Sequence, residues 1–431
     1  MIETYRQQFE AFAANGAREG PSWLPELRQA AMDQFTRVGF PTSRDEEWRF
    51  TPVSPIAQAE FQPAPAATVE RAALTPYLFG HAEWPQLVFV NGKLAPELSS
   101  VSALPPGVRV GGLAAALRAD SALVEPHLSR YARPEITAFT ALNTALMRDG
   151  AFVHVPAGTE LTLPVHLLFV TTPGSQGVAH PRNLVVVERG ARASVVESYV
   201  GLGGDAPYFT NAVTEVVSGE DAWTEHTRLQ REGDRAYHVG LTQVAQARGS
   251  HYRSFTLAMG GAISRHNLHV QLNAPGIETL MYGLYLARGD QVVDNHTAIF
   301  HDHPNCNSWE VYKGVLDDRS RAVFNGKVFV KPEAQKTDAK QTNRNLLLSN
   351  TAKVDTKPQL EIFADDVKCT HGATVGFLDP SAQFYLRSRG IPADAARRLL
   401  TYAFAAEVVN EVALEPVRQE LDRLVLERLG R

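Results

Sequence analysis

Short apolar runs punctuated by Gly, Asn or Asp fill the chain between Ala151 and Phe377: VHLLFVTT, NLVVVERG, ASVVESYVG, AVTEVVSG, SFTLAMGG, NLHVQLNA and TLMYGLYLA. Their length and β-branched content predict strands. More than two hundred residues pass without a helical period, which leaves a sandwich, a barrel or a solenoid. Regular Asn-Gly or Asp-Gly hairpin turns are absent, which weakens an up-and-down barrel. Short strands with small-residue corners instead favour a β-helix whose coils stack in parallel, although no strict repeat period emerges.

The flanks follow a different pattern. Residues 3–14 and 22–38 have helical spacing, the second through Leu24, Leu27, Ala31, Phe35 and Val38, and Gly39 with Pro41 stop it. Residues 52–86 are rich in Pro and Ala and predict a connector. Beyond it come a short strand at Leu87 to Val90 and helices near 111–118 and 137–148. After Asp379 the helical period returns. Phe384 to Arg389 predicts a short helix ended by Gly390, and Pro392 suits the first turn of the next. Leu399, Leu400, Ala403, Phe404 and Val408 form one apolar stripe, and Val417, Leu421, Leu424, Val425 and Leu429 form another. The expected organisation is a mainly helical region with its connector over 1–150, a β core over 151–379 and a helical domain over 380–431. Mutual packing of the last helices accounts for both stripes, and a docking surface for another subunit is the sharper alternative.

Composition narrows the function classes. A chain of 431 residues with 44% hydrophobic content can bury a sizeable core. The formal charge of -5, with no block of Lys or Arg, argues against nucleic acid. No apolar run approaches about 20 residues, so no membrane span is expected. The charged, aromatic N-terminal segment is unlike a secretory signal. With only Cys306 and Cys369 there is no disulfide framework, and a reducing, cytoplasmic setting is the expectation.

Known catalytic motifs are missing. There is no G-x-x-x-x-G-K-[ST] loop, so any ATP dependence must come from a partner. Gly201-Leu202-Gly203-Gly204 lacks the strand-turn-helix context of a dinucleotide site, and there is no G-x-S-x-G elbow. Asp317-Asp318 and Asp365-Asp366 are adjacent and would face opposite sides of a strand, so they are expected at corners. His301-Asp302-His303 with Cys306 could ligate a metal, but HDHPNCNS equally makes a Pro/Asn turn, the preferred reading. Eight of the fourteen histidines lie between His226 and His303, a density that fits solvated strand faces and coil corners. Cys369-Thr370-His371 sets a thiol and an imidazole two residues apart, on one face of a strand. Cys369 shares that face with Val367, and an inert packed thiol is its ordinary explanation. A β-helix carbohydrate-active enzyme remains the alternative, marked by carboxylates from successive coils converging in an open groove. A Cys/His acyl transferase is less apt, because side chains two apart on one strand are poorly placed for in-line proton transfer.

Four collinear stretches carry a family resemblance. FNGKVFVKPEAQKTDAKQTNRNLLLS followed by KVDTKPQLEIFADDVKCTHGATVG, SRDEEWRFTP (Ser43 to Pro52), LNTALMRDGAFVHVPAG (Leu142 to Gly158) and HPRNLVVVERGARASVVESYVG (His180 to Gly201) together resemble the SufB/SufD family of iron-sulfur cluster assembly proteins. The Cys-x-His pair before GATVG, with the helical N-terminal region, favours the SufD branch. The resemblance implies a right-handed parallel β-helix core and a non-catalytic scaffold role. It implies pairing with SufB, and docking of the SufC ATPase through the C-terminal helices, for which Leu399, Phe404, Leu421 and Leu424 are the candidates. It also implies a nascent cluster shared with SufB, with His371 and Cys369 as transient metal ligands at the interface. Iron accepts thiolate and imidazole, but two ligands from one chain are too few for a stable site. A reduced flavin accompanies some complexes of the family, yet no flavin motif is found here. Homodimer formation by the isolated chain is left open.

Overall fold

Every strand from Arg182 to Phe377, apart from the short Gly177–Ala179 edge that precedes them, pairs in parallel with the strand two places away in sequence, so the chain winds as a two-sheet β-helix. The computed structural model describes residues 2–15, 20–101, 104–174 and 177–429. The first sheet runs from Arg109–Gly112 and Ala151–Val155 through Arg182–Val187, Phe209–Ser218, Tyr237–Gln246, Ile263–Leu272, Val292–His301 and Arg321–Val330 to Lys353–Ile362. The second starts with Lys93–Leu94, Gln86–Val90 and Val165–Thr171. It continues through Arg192–Gly201, Trp223–Arg231, His251–Ala258, Glu278–Ala287, Asn307–Leu316 and Asp338–Leu347 to Lys368–Phe377. The β-helix therefore draws its first strands from the region before residue 150: Gln86–Val90 lies parallel to Val165–Thr171.

A recurring corner sets this winding. Where the chain passes from the first sheet to the second, a residue with positive φ turns it in six successive coils: Gly190, Asp221, Gly249, Gly276, Asn305 and Lys336, at 55° to 77°. Glycine adopts this conformation without steric cost, and Asp or Asn tolerates it through local hydrogen bonding. The HDHPNCNS stretch is one of these corners. Asp318 sits at a return corner with φ 54°, in line with the expected corner role of the Asp317-Asp318 pair. Coil length varies, which explains the missing repeat period. Register partners are 26 residues apart from Tyr237 to Ile263, 29 from Ile263 to Val292 and 32 from Arg321 to Lys353.

Helices cover the outer faces. Leu24–Val38, Leu113–Ala119 and Ala138–Leu146 lie over the early strands of the first sheet, with Leu24, Leu113 and Leu117 packed on Phe152, Leu184 and Val186. The expected connector includes short helices at Ser54–Gln58 and Arg71–Leu74, and Gln62–Pro63 pairs in parallel with Gly177–Ala179. A fully buried ion pair, Arg182 Nη2 to Glu215 Oε1 at 2.7 Å, fastens this layer. Glu215 also accepts the backbone N–H groups of Ser129, Tyr131 and Ala132 at 2.7, 3.0 and 2.9 Å. Removing one member of such a pair typically costs about 3–5 kcal/mol, because the other charge stays buried.

The C-terminal helices are Pro380–Ser388, Ala393–Val409 and Glu415–Leu429. The first starts four residues before its expected position, because the Asp379 side chain accepts from the Ser381 N–H and Pro380 fits the first turn. Pro392 precedes the second helix as its cap residue. The second and third helices lie on the outer face of the second sheet, where Ala405, Val408, Leu421 and Val425 join Phe255, Leu257, Leu284 and Val315 in one core cluster.

The inward faces are unusually polar. Between Val195, Tyr252 and Leu316 lie Glu197, His226, Arg228, His238, His266, Glu310, Gln341 and Asn343, all buried. Glu197 accepts from Thr214 of the opposite sheet at 3.0 Å and pairs with His226 Nε2 at 3.0 Å. Three of the histidines expected on solvated faces thus point inward, where burial lowers His238 and, further, His266 below the ordinary imidazole value. Deeper toward the last coils, burial pushes Glu310 up to about 7, from an ordinary 4.5.

Because Glu310 is raised in the folded state, the native chain binds more protons than the unfolded one between about pH 4.5 and 7, and stability falls as pH rises through that window. Glu310→Gln should therefore stabilise the protein relative to wild type by more at pH 8 than at pH 5. Thermal melts of both chains at the two pH values check this, and an equal difference at both would show that Glu310 titrates normally.

Candidate functional site

Among the described residues, nothing caps the end of the β-helix. Lys353–Ile362 and Lys368–Phe377 are the terminal strands of the two sheets, and each pairs along one edge only. The chain then leaves for the flank of the second sheet rather than folding across the end. Burial records the consequence: Asp338–Leu347 alternates buried and exposed positions, whereas nearly all of Lys368–Phe377 is exposed. Phe363, Val375 and Phe377 stand 58%, 45% and 59% exposed there.

Cys369 and His371 both belong to this last strand. They are in register with Ala339 and Gln341, two buried residues of the preceding coil, so both occupy the inward row. Their surroundings differ. Cys369 is half-buried and, with Val367, packs against Val328, Val330, Ala339 and Ala364. Burial raises its thiol above the ordinary value, so the thiolate needed for nucleophilic attack or metal binding is disfavoured. His371 is exposed at the open end. Imidazole and thiolate both suit iron, and no group of three or more His, Cys, Asp or Glu among the described residues is arranged to hold a metal. Any metal at the pair draws its remaining ligands from elsewhere.

The other expected sites lie apart from this end or in its scaffolding. His301 Nε2 bonds Ser308 Oγ at 2.9 Å, and the buried Cys306 Sγ donates to the Ala274 carbonyl at 3.3 Å, so both serve the corner. Of the four candidate docking residues, Leu421 and Leu424 are buried in the cluster against the second sheet, at 0% and 8% exposure. Phe404 is partly buried; Lys313 Nζ lies 4.4 Å from its ring and donates to its carbonyl at 3.0 Å. Leu399 is 48% exposed. Helix Pro380–Ser388 adds exposed Phe384 and Tyr385, which the spacing of apolar positions did not mark.

A cleft of about 620 Å³ lies between the N-terminal layer and the first sheet, lined by Trp48, Glu135, Arg265, His269, His296 and Lys327 among others. Its floor explains the SRDEEWRFTP stretch. The Arg265 guanidinium stacks 3.7 Å from the Trp48 ring centre, Glu47 Oε2 meets His296 Nδ1 at 3.1 Å, Lys357 pairs with Glu46, and Thr51 bonds Asp294. Burial raises the Asp294 carboxyl, but Arg265 and His296 outweigh it and hold it at about 2. These carboxylates are ion-paired anchors that pin the segment across four coils. They were invisible as a group in the sequence because their partners lie more than two hundred residues away.

Comparison with known proteins agrees with this architecture. The SUF system FeS cluster assembly SufBD core domain matches residues 169–404, and the SufBD protein N-terminal region matches residues 1–167. The iron-sulfur cluster assembly protein SufD of Escherichia coli is 33% identical over 440 residues, covering 99% of this chain and 96% of its own. A SufBD family protein of Synechocystis is 38% identical, with 94% and 91% covered. SufD of Bacillus subtilis is 29% identical, with 93% of each chain covered. The two domain matches together span nearly the whole chain, across helical layer and β-helix alike, and the chain belongs to the SufBD family of iron-sulfur cluster assembly proteins.

Proposed function

We propose that this chain is a SufD-like, non-catalytic scaffold subunit that pairs through its open β-helix end with SufB and docks the SufC ATPase through its C-terminal helical region. A nascent iron-sulfur cluster then forms at the SufB-facing end as cargo, with His371 as the ligand or proton acceptor contributed by this chain and Cys369 as a weaker candidate. The observation that carries the reading is the coincidence of the Cys369/His371 pair with two unpaired strand edges and an exposed apolar rim of Phe363, Val375 and Phe377. Unpaired parallel edges are templates for another chain, and a second β-helix end offers matching edges. A second copy of this chain would satisfy the same edges when SufB is absent.

Three further features support the reading. The chain lacks a phosphate-binding loop, so ATP-driven work falls to a partner. Of the acids at the cleft, Glu46, Glu47 and Asp294 are each taken up by a partner, Lys357, His296 and Arg265, and so do not form the free carboxylate pair that the carbohydrate-enzyme alternative needs. No helix among the described residues is long and apolar enough to cross a membrane, in keeping with a cytoplasmic assignment. We assign no residues to a reduced flavin. The reading is tested by coexpressing the chain with SufB and SufC, purifying anaerobically and assaying iron and sulfide. Failure to copurify would reject it.

For SufC docking, Leu399 is the exposed member of the four candidates, with Phe384 and Tyr385 nearby in sequence. Leu399→Glu should abolish copurification of SufC while the circular-dichroism spectrum keeps its β signature. Loss of both would assign Leu399 to the fold, and retention of SufC would remove it from the docking surface.

His371→Ala deletes a potential iron ligand from an exposed position and leaves no core void. The SufB-SufC-SufD complex should survive this change while cluster formation falls several-fold in cells that depend on the pathway. Full cluster formation by the intact mutant complex would exclude a role for the imidazole.

A further inference from the structure

Behind His371 the polar interior contains an amide with one bond made and one outstanding. The inward row of the second sheet ends in Met281, Glu310, Gln341 and His371, one residue from each successive coil. Glu310 and Gln341 are 1% and 2% exposed. Gln341 Nε2 donates to Glu310 Oε2 at 2.8 Å. Once Glu310 is ionised its carboxylate can only accept, so at such a pH the bond fixes the amide with its nitrogen toward Glu310. Gln341 Oε1 is then buried with no hydrogen-bond partner among the described residues. A buried carbonyl in that state is costly unless a donor reaches it.

Packing holds the amide in place. Across the interior stands Gly326, where an added Cβ would meet Gln341 Nε2 at 2.3 Å and Cδ at 2.7 Å. The Gln341 amide thus rests against bare backbone, in space that any side chain at 326 would occupy. The next residue in its row is His371, on a strand about 4.8 Å away. A neutral imidazole has one N–H to give and one lone pair to offer, and the bond made by one nitrogen decides the role of the other.

We propose that Gln341 is a positioning residue for His371: rotation of the exposed imidazole brings one ring N–H to the otherwise unpartnered Oε1, Glu310 holds the amide in that orientation, and the opposite ring nitrogen is left with its lone pair directed out of the open end. Metal-binding histidines are commonly held in this way by a second acceptor. The functional meaning of the arrangement rests on the proposed role of His371 in assembly. The tautomer does not, and it can be read in the full chain without partners or iron.

The experiment records imidazole 15N shifts of the full-length protein labelled at histidine, at a pH where His371 is neutral, with His371→Asn identifying its signals. In wild type, His371 should show one dominant tautomer. In Gln341→Leu its two nitrogen shifts should converge toward the averaged values of an exposed imidazole, while the interior His226 and His238 signals stay fixed and certify the fold. If Gln341→Leu fails to fold, Gly326→Ala displaces the same amide and should shift His371 in the same direction. His371 signals identical in wild type and in a folded Gln341→Leu or Gly326→Ala variant would overturn the proposal. In cells, Gln341→Leu should lower cluster formation by about tenfold with the complex intact. A tautomer change without that loss would overturn the positioning role. If His371→Ala itself is neutral in cells, the proposed role of His371 in assembly fails, and the 15N shifts still decide whether Gln341 sets the imidazole.

Discussion

A strand in a parallel stack needs a neighbour on each edge, and a β-helix supplies both only in its middle. At its start, this chain meets the requirement with antiparallel strands Arg109–Gly112 and Lys93–Leu94, which close the two sheets. At its end it does not, because the C-terminal helices turn away along the outer face of the second sheet. The last coil is left with unpaired backbone groups and an apolar rim, a combination that soluble proteins normally avoid because it recruits other chains. The proposed pairing surface and the exposed position of His371 both follow from that single unmet requirement.

Helices on both outer faces have a second consequence. With the N-terminal layer over one sheet and the C-terminal layer over the other, many strands are buried on both sides, and their sequences lose the apolar-polar alternation of a half-exposed sheet. Strand Phe209–Ser218 is buried at nine of its ten positions. Polar groups enclosed in this way must find partners inside. Arg182–Glu215 and Arg265–Asp294 do so on the outer faces, and Glu197–His226 and Glu310–Gln341 in the interior. Such pairs add little net stability compared with apolar replacements, but breaking one is expensive, so they bind the layers to a single register.

The β-helix, the flanking helices and the family were legible in the sequence because each rests on local pattern: strand length, helical spacing, and the contiguous motifs at Ser43 and Phe324. The failures have a common cause in contacts between distant residues. Coil length varying from 26 to 32 residues hid the repeat, although the left-handed corner recurs at Asp221, Gly249, Gly276 and Asn305. His226, His238 and His266 gave no sign of facing inward, since polar residues occupy both faces of their strands. Leu421 and Leu424 had the spacing of a stripe that mutual packing or docking would equally explain, and the flank of the second sheet, distant in sequence, is what covers them. In the KQTNRN run of Lys340 to Asn345, inward Gln341, Asn343 and Asn345 look no different from their outward neighbours until the register is known.

Cys369 and His371 share a strand and a face, yet the end of the β-helix treats them differently. Cys369 lies near the beginning of the strand, where Val328 and Val330 of the opposite sheet and Ala364 of the corner before the strand still cover it. Its thiol must lose a proton to bind iron, and burial opposes that loss. His371, two residues further along, is beyond this cover, and imidazole binds iron as a neutral ligand with no ionisation step. An incoming chain that buries the open end would desolvate both groups, making the thiolate still harder to form unless the partner or the metal brings positive charge. The neutral imidazole carries no such penalty. On the proposed reading, His371 is therefore the one of the two residues whose capacity to bind would survive a partner closing over the end.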